Sequence, residues 1–147
     1  MYNVGDGQLV VLLVHPGGPF WRHKDIGAWS IPKGELNEHE TSEEAARREF
    51  REELGSVPEG TLQPLGRIRQ RGGKVVDAFA IEGDFDLKGF RSGTFEMEWP
   101  PRSARIVAFP EVDRAAWFSL PIARQKILPG QAPLLDALES LLAREPG

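Results

Sequence analysis

Residues Leu9 to Val14 form an unbroken aliphatic run, Leu-Val-Val-Leu-Leu-Val, between two groups of turn-forming residues. A short run of that kind predicts a buried strand. Gly5-Asp6-Gly7 reads as the turn leading into it, and Pro16-Gly17-Gly18-Pro19 ends it. The periodicity changes at Thr41. Thr41 and Glu44, three places on, make a capping box, and good helix formers continue to Leu54. Ala46, Phe50 and Leu54 fall four apart and supply an apolar stripe. Gly55 suits the left-handed position that closes a helix.

Strand-like segments return at about 62–69 and 74–82. Thr94 to Trp99 alternates apolar and acidic residues, so Phe95, Met97 and Trp99 share one face and Glu96 and Glu98 the other. Ala116-Trp117-Phe118 predicts another strand. Pro121 is placed to open a short helix reaching Ile127, since proline is tolerated at the first helical position. Leu134, Leu135, Leu138, Leu141 and Leu142 mark a final amphipathic helix, with Pro133 near its start. No repeat, low-complexity tract or long linker divides the chain. Strands around one central helix, followed by another helix, predict a single α/β domain over 1–147, with helices packed on a mixed sheet.

Composition narrows this picture. The 147 residues suffice for a core without staples, and 40% hydrophobic with 27% charged residues is ordinary for a globular protein. The absence of cysteine excludes disulfides and thiolate metal sites, and is compatible with a cytoplasmic location. No apolar run reaches the ~18 residues of a membrane span, and no secretory signal is visible. The net charge of -4 argues against a general electrostatic grip on nucleic acid. Small polyphosphates remain possible ligands if metal ions reverse the charge locally.

The central helix carries Arg48-Glu49-Phe50-Arg51-Glu52-Glu53. Glu52 and Glu53 lie three and four places after Glu49, so three carboxylates crowd one region at a cost of roughly 0.2–0.5 kcal/mol per pair. Arg48 reaches Glu52 at i+4 but does not neutralise all three. Mg²⁺ would, because it favours a few carboxylates together with substrate phosphates. Alone, such a run is more often a solvated helix face. The wider spacing decides otherwise. Gly34, Glu40, Arg48, Glu49, Glu52, Glu53 and Gly55 match seven fixed positions of the Nudix box, a coincidence on the order of one in 10⁸ per window.

The chain thus resembles the Nudix hydrolase family over the 23 residues of the box. Trp29-Ser30-Ile31-Pro32-Lys33-Gly34 resembles the usual entry to it, and Ala116-Trp117-Phe118 the family's late strand. The resemblance implies an α/β/α sandwich with a mixed β-sheet. It also implies a Mg²⁺-dependent hydrolase, with Mn²⁺ as a substitute, acting on a nucleoside diphosphate linked to another group. Two positions depart from the pattern. Ser56 stands where the box ends in an aliphatic residue expected to pack. Only Met1 to Val4 precede the first turn, so the family's opening strand is expected to be very short or truncated. An unpaired sheet edge there would invite another chain, and the protein is expected to be a monomer or a homodimer.

The same resemblance assigns roles. Glu52 and Glu53 would be metal ligands, and Glu49 a ligand or the base that activates water. Arg48 would orient a glutamate, its planar fork suiting carboxylate. Gly34 permits a sharp turn, and the Lys33 carbonyl would complete the metal shell. Glu40 would tie down the loop, or simply favour the helix dipole. Family members often recruit a further glutamate, for which Glu96, Glu98 and Glu111 are candidates. Arg22, His23, Lys24 and Lys33 form a basic group that could hold distal phosphates or be solvated. Trp21 or Trp29 could stack on a base or belong to the core. Arg67, Arg69 and Arg71 alternate as a solvated face or a phosphate rim. His15, His23 and His39 lack metal-ligand spacing.

The leading functional expectation is hydrolysis of a small nucleotide, an NTP, a dinucleoside polyphosphate or a sugar nucleotide, with the basic loop favouring a polyphosphate chain. A nucleotide sensor without turnover is the alternative, although it usually lacks box glutamates that this chain keeps. Protein interaction through the acidic helix face is a third.

Overall fold

The computed structural model describes residues 1–33, 36–69, 73 and 75–144. Its sandwich is organised by one strand that is apolar on both faces. β1 (Tyr2–Gly5) and β2 (Gln8–Pro16) form an antiparallel hairpin through Asp6 and Gly7, which both adopt positive φ, at 53° and 77°. That pair of left-handed residues matches the twist of a two-residue hairpin. β2 also pairs antiparallel with β7 (Val112–Ser119). The expected late strand therefore begins four residues earlier than Ala116-Trp117-Phe118 suggested.

Alternation along β2 sorts its side chains into two layers. Leu12 and Val14 pack with Phe50 and Leu54 of helix α1 (Ser42–Leu54). Val11 and Leu13 pack with Leu135 and Leu138 of helix α3 (Ala132–Arg144). Burying each such aliphatic or aromatic side chain contributes about 1.5–3 kcal/mol. The first strand is short but present. Tyr2 donates its N–H to the Ile81 carbonyl at 2.9 Å and accepts from the Gly83 N–H at 3.0 Å. So at Tyr2 the edge is closed by a parallel junction. This junction and the Trp29–Ile127 bridge are parallel, while the pairings between the named strands are antiparallel.

β3 (Gln63–Arg69) and β4 (Val75–Ala80) make a second hairpin, and β5 (Thr94–Glu98) and β6 (Ile106–Pro110) a third. Helix α2 (Leu120–Lys126) has its proline in the first turn and ends one residue before Ile127. In α1 the capping box forms reciprocally, with 3.1 Å for each bond between Thr41 and Glu44. The expected stripe of Ala46, Phe50 and Leu54 is corrected: Ala45 and Glu49 are buried beside Phe50 and Leu54, while Ala46 is only half-buried. A carboxylate therefore lies on the inward side of this helix. Ser56 and Val57 are exposed, so the box's last position does not pack here. The left-handed turn at Gly55 sends the chain outward, and Pro58 is buried instead. Among the described residues, no helix is long and apolar enough to cross a membrane.

Candidate functional site

Gly55 places the end of α1 against its neighbours. Its φ is 103°, and an added Cβ would stand 2.8 Å from Arg91 Cβ and 2.9 Å from the Arg91 carbonyl oxygen. Glycine is needed here both for conformation and for room. The segment across this gap caps the helix. The Arg91 N–H donates to the Leu54 carbonyl at 2.8 Å, and the Gly93 N–H to the Glu52 carbonyl at 2.9 Å. The Gly93 carbonyl in turn accepts from the Glu111 N–H at 2.9 Å. Three short links thus bring Glu111 to the acidic helix.

Arg48 organises the outer part of the acidic group. Its Nε and Nη2 fork onto Glu40 at 2.8 and 3.0 Å. Its Nη1 donates to Glu49 at 2.6 Å and to Glu52 at 3.3 Å. Glu40 also accepts from the Asn37 N–H at 2.9 Å, so it ties the loop to the helix. The Arg48 bond, then the Asn37 bond, hold the Glu40 carboxyl below its usual range. The inner carboxylates behave oppositely. Burial pushes Glu53 up to about 8; the bond from the Lys33 N–H at 2.9 Å opposes this, and the charges of Glu49 and Glu111 add to it. Burial also raises Glu49, against the pull of Arg48, with Glu52 and Glu111 contributing.

A cavity of ≈ 240 Å³ opens beside these groups, with Lys33, Glu53 and Glu111 as its charged lining and Trp21 on its wall. A second, of ≈ 170 Å³, lies between α1 and β4 and is lined by Lys33 and Glu49 together with Phe50 and Val76. Lys33 borders both. Among the described residues, no three acidic or histidine side chains already form a closed metal cage. The donor chemistry nevertheless fits a hard divalent cation. The donors are carboxylate oxygens; the charge of Glu111 disfavours ionisation of both Glu49 and Glu53, and that of Glu49 disfavours ionisation of Glu53, which a cation would offset.

Of the three glutamates outside the box, Glu111 is the one brought to the carboxylates. Glu98 is not: its Oε1 accepts from the Arg102 N–H at 2.7 Å in the β5–β6 turn, and it lines neither cavity. The expectation that Glu98 binds substrate is corrected accordingly, since strand alternation turns it to the exposed face with Glu96. Arg22 and Lys24 lie exposed on the loop that carries Trp21, with the Lys24 ammonium 5.0 Å from the Trp21 ring centre. Trp29 is core, and its indole donates to Asp25 at 2.8 Å. His15 is buried between Asp113 at 2.8 Å and the Lys24 carbonyl at 2.6 Å, contacts that hold the loop. Arg67 pairs with Asp77 at 2.6 Å. Gly34 and Arg71 lie outside the described residues.

The NUDIX domain family model matches residues 2–138. The chain belongs to the Nudix family. Within it, similarity to named proteins is modest. A segment of 59 residues is 39% identical to an RNA pyrophosphohydrolase of Cellvibrio japonicus. That segment covers 39% of this chain and 32% of the relative, so the match spans about a third of the curated relative's length. Among solved structures, an Ap4A hydrolase of C. elegans in a binary complex superposes with a TM-score of 0.66 at 21% identity, covering 97% of this chain and 93% of the other. The NUDIX domain of Shewanella oneidensis NrtR, complexed with ADP ribose, gives 0.63 at 21% identity, with 96% and 82% covered. These two likenesses establish the Nudix fold, and with it the α/β/α sandwich.

Gln131 is a site-adjacent residue that the sequence does not reveal. Gln131 is 2% exposed and reaches the box entry segment with its side-chain amide. A lone glutamine in Pro-Gly-Gln carries no signal for such a role.

Proposed function

We propose that this Nudix domain is a divalent-metal-dependent pyrophosphohydrolase that cleaves a phosphoanhydride bond of a nucleoside diphosphate linked to another group. The observation that carries the reading is the convergence of Glu53 and Glu111 on a cavity bordered by Lys33, with Glu49 on the second cavity that Lys33 also borders. Glu49, Glu52, Glu53 and Glu111 would hold Mg²⁺ or Mn²⁺, with the Lys33 carbonyl as a further oxygen. The bound metal supplies charge neutralisation for the diphosphate and makes water more acidic.

The protein's own groups do the rest. Arg48 fixes Glu49 and Glu52 relative to one another, so the carboxylates meet substrate in a set orientation. Where Glu49 is not itself a ligand, it would accept a proton from the attacking water; in the metal-free protein burial raises its proton affinity against the pull of Arg48. Lys33 borders both cavities, and its ammonium would pair with phosphate oxygens. The exposed Arg22 and Lys24 extend positive charge away from the cluster, which favours a polyphosphate chain, an NTP or a dinucleoside polyphosphate.

The test is a substrate panel with and without Mg²⁺, with products identified by mass. It includes NTPs, dinucleoside polyphosphates, ADP-ribose and a 5′-triphosphorylated oligonucleotide. The expected result is Mg²⁺-dependent release of phosphate or pyrophosphate products from at least one nucleotide, and loss of that turnover in folded Glu53→Gln. Nucleotide binding without turnover would favour a sensor instead. Wild-type rates in Glu53→Gln would refute the ligand assignment.

A further inference from the structure

The segment that enters the Nudix box runs from Trp29 to Lys33, and each of its backbone donors has a partner. The Trp29 N–H donates to the Lys126 carbonyl and the Ser30 N–H to the Val14 carbonyl, both at 2.9 Å. Pro32 has no N–H. The Lys33 N–H meets Glu53 Oε2 at 2.9 Å. Between these stands the Ile31 N–H, which no strand or helix backbone receives. Its acceptor is Oε1 of Gln131, at 3.0 Å, from the turn that joins α2 to α3.

The amide is held in one orientation. Gln131 Nε2 donates to Ser30 Oγ at 3.2 Å, and that hydroxyl donates to the Ile31 carbonyl at 2.6 Å. A flipped amide would set an NH₂ group against the Ile31 N–H and lose both contacts. Burying a primary amide is costly unless it is fully bonded. Here it is bonded to the residue two places before the backbone group that fixes Glu53. Pro32, with its constrained φ, makes the intervening link stiff.

We propose that Gln131 is a positioning residue for the candidate active site. Through the Ile31 N–H it holds the strut from Ile31 to Lys33, keeps the Lys33 N–H on Glu53, and so sets the affinity of the carboxylate cluster for a divalent cation. The inference rests on the metal-dependent reading above, and concerns this chain's own scaffold rather than the box.

The experiment uses Mn²⁺ alone as the probe, titrated by calorimetry and paramagnetic resonance, with thermal unfolding of each variant and hydrogen exchange at the Lys33 amide. Gln131→Met keeps the volume but removes the acceptor. Gln131→Glu keeps an acceptor for Ile31. Ser30→Ala loosens the amide without removing it. Val11→Ala destabilises the same core from β2, where Val11 pairs with Tyr2 and Phe118 and not with the entry segment, and serves as the stability-matched control. The expected loss of Mn²⁺ affinity is about 10- to 100-fold in Gln131→Met, smaller in Ser30→Ala, and within about twofold of wild type in Gln131→Glu and Val11→Ala. Faster Lys33 exchange is expected in metal-free Gln131→Met. Wild-type Mn²⁺ affinity or unchanged Lys33 exchange in that variant overturns the proposal, as does an equal loss in Val11→Ala. Absence of Mn²⁺ binding by the wild type overturns the hydrolase reading itself, and the exchange measurement keeps the two failures apart.

Discussion

Glu111 and Glu98 are the same residue type in the same hairpin region, and only their backbone settings separate them. Glu111 stands where its N–H is tied to Gly93, whose own N–H is tied to the Glu52 carbonyl. Glu98 is spent on the Arg102 N–H. Glu111→Gln is therefore expected to lower turnover by about 10- to 100-fold, the range typical of a group that tunes a metal site. Glu98→Gln is expected to leave it within about twofold. Steady-state rates on whichever nucleotide the panel selects decide this, and equal losses would remove Glu111 from the site. The seven box residues were legible in the sequence because their spacing is local: one helix puts Glu49, Glu52 and Glu53 together whatever surrounds it. Choosing among Glu96, Glu98 and Glu111 needs the path of the chain, which spacing does not encode. The partition of the acidic group was likewise invisible. The sequence shows Arg48 within reach of Glu52, but not that its fork closes on Glu40, eight residues earlier.

At the scale of elements, α1 was readable because cap chemistry is local. Thr41 and Glu44 bond each other's backbone, and Gly55 stops the helix. Gly55→Ala forces a positive φ on a residue with a Cβ and pushes that atom into Arg91. A cost of at least about 1–2 kcal/mol is expected from the backbone conformation alone, hence a melting temperature lower by several degrees in thermal unfolding. β6 escaped the sequence reading because Ile106 to Pro110 has no charged residue to show alternation. Its pattern emerges only against the acidic face of β5. The basic loop is an element held by side chains. Asp25 accepts from Lys126 and from the Trp29 indole, and these bonds, in that order, hold its carboxyl below the ordinary value of 3.8. The folded state therefore binds this proton less readily than the unfolded chain. Asp25's stabilising contribution is complete above the unfolded value and lost as pH falls through the lower folded one. Asp25→Asn should melt below wild type near neutral pH, with the gap closing as pH drops under 3.8. A gap independent of pH would show that the carboxylate's charge is not what pins the loop.

For the whole molecule, the sandwich makes one strand serve two layers, and this separates stability from function. Leu12 and Leu13 are neighbours in β2, the same residue type, each 1% exposed. Leu12 packs in the cluster containing Phe50 and Leu54 of the box helix; Leu13 packs with Leu135 and Leu138 of α3. Truncation to alanine is expected to cost each about 2–5 kcal/mol, since both lose the same buried atoms and leave a comparable cavity. That is a large share of a typical 5–15 kcal/mol total, so the measurements belong at low temperature, where enough of each variant is folded. The consequences for chemistry should differ. A cavity under Phe50 and Leu54 removes the support that fixes the depth of Glu49 and Glu53 on the same helix, and misplacement of about 1 Å can cost on the order of 10²-fold. A cavity under α3 leaves α1 seated and reaches the carboxylates only through Trp29 and Ile31 of the entry segment. Leu12→Ala should thus lose more turnover per folded molecule than Leu13→Ala, whose main loss is stability. Rates divided by the folded fraction from circular dichroism test the claim. Equal rates per folded molecule would mean that the box helix keeps its geometry without the β2 layer beneath it.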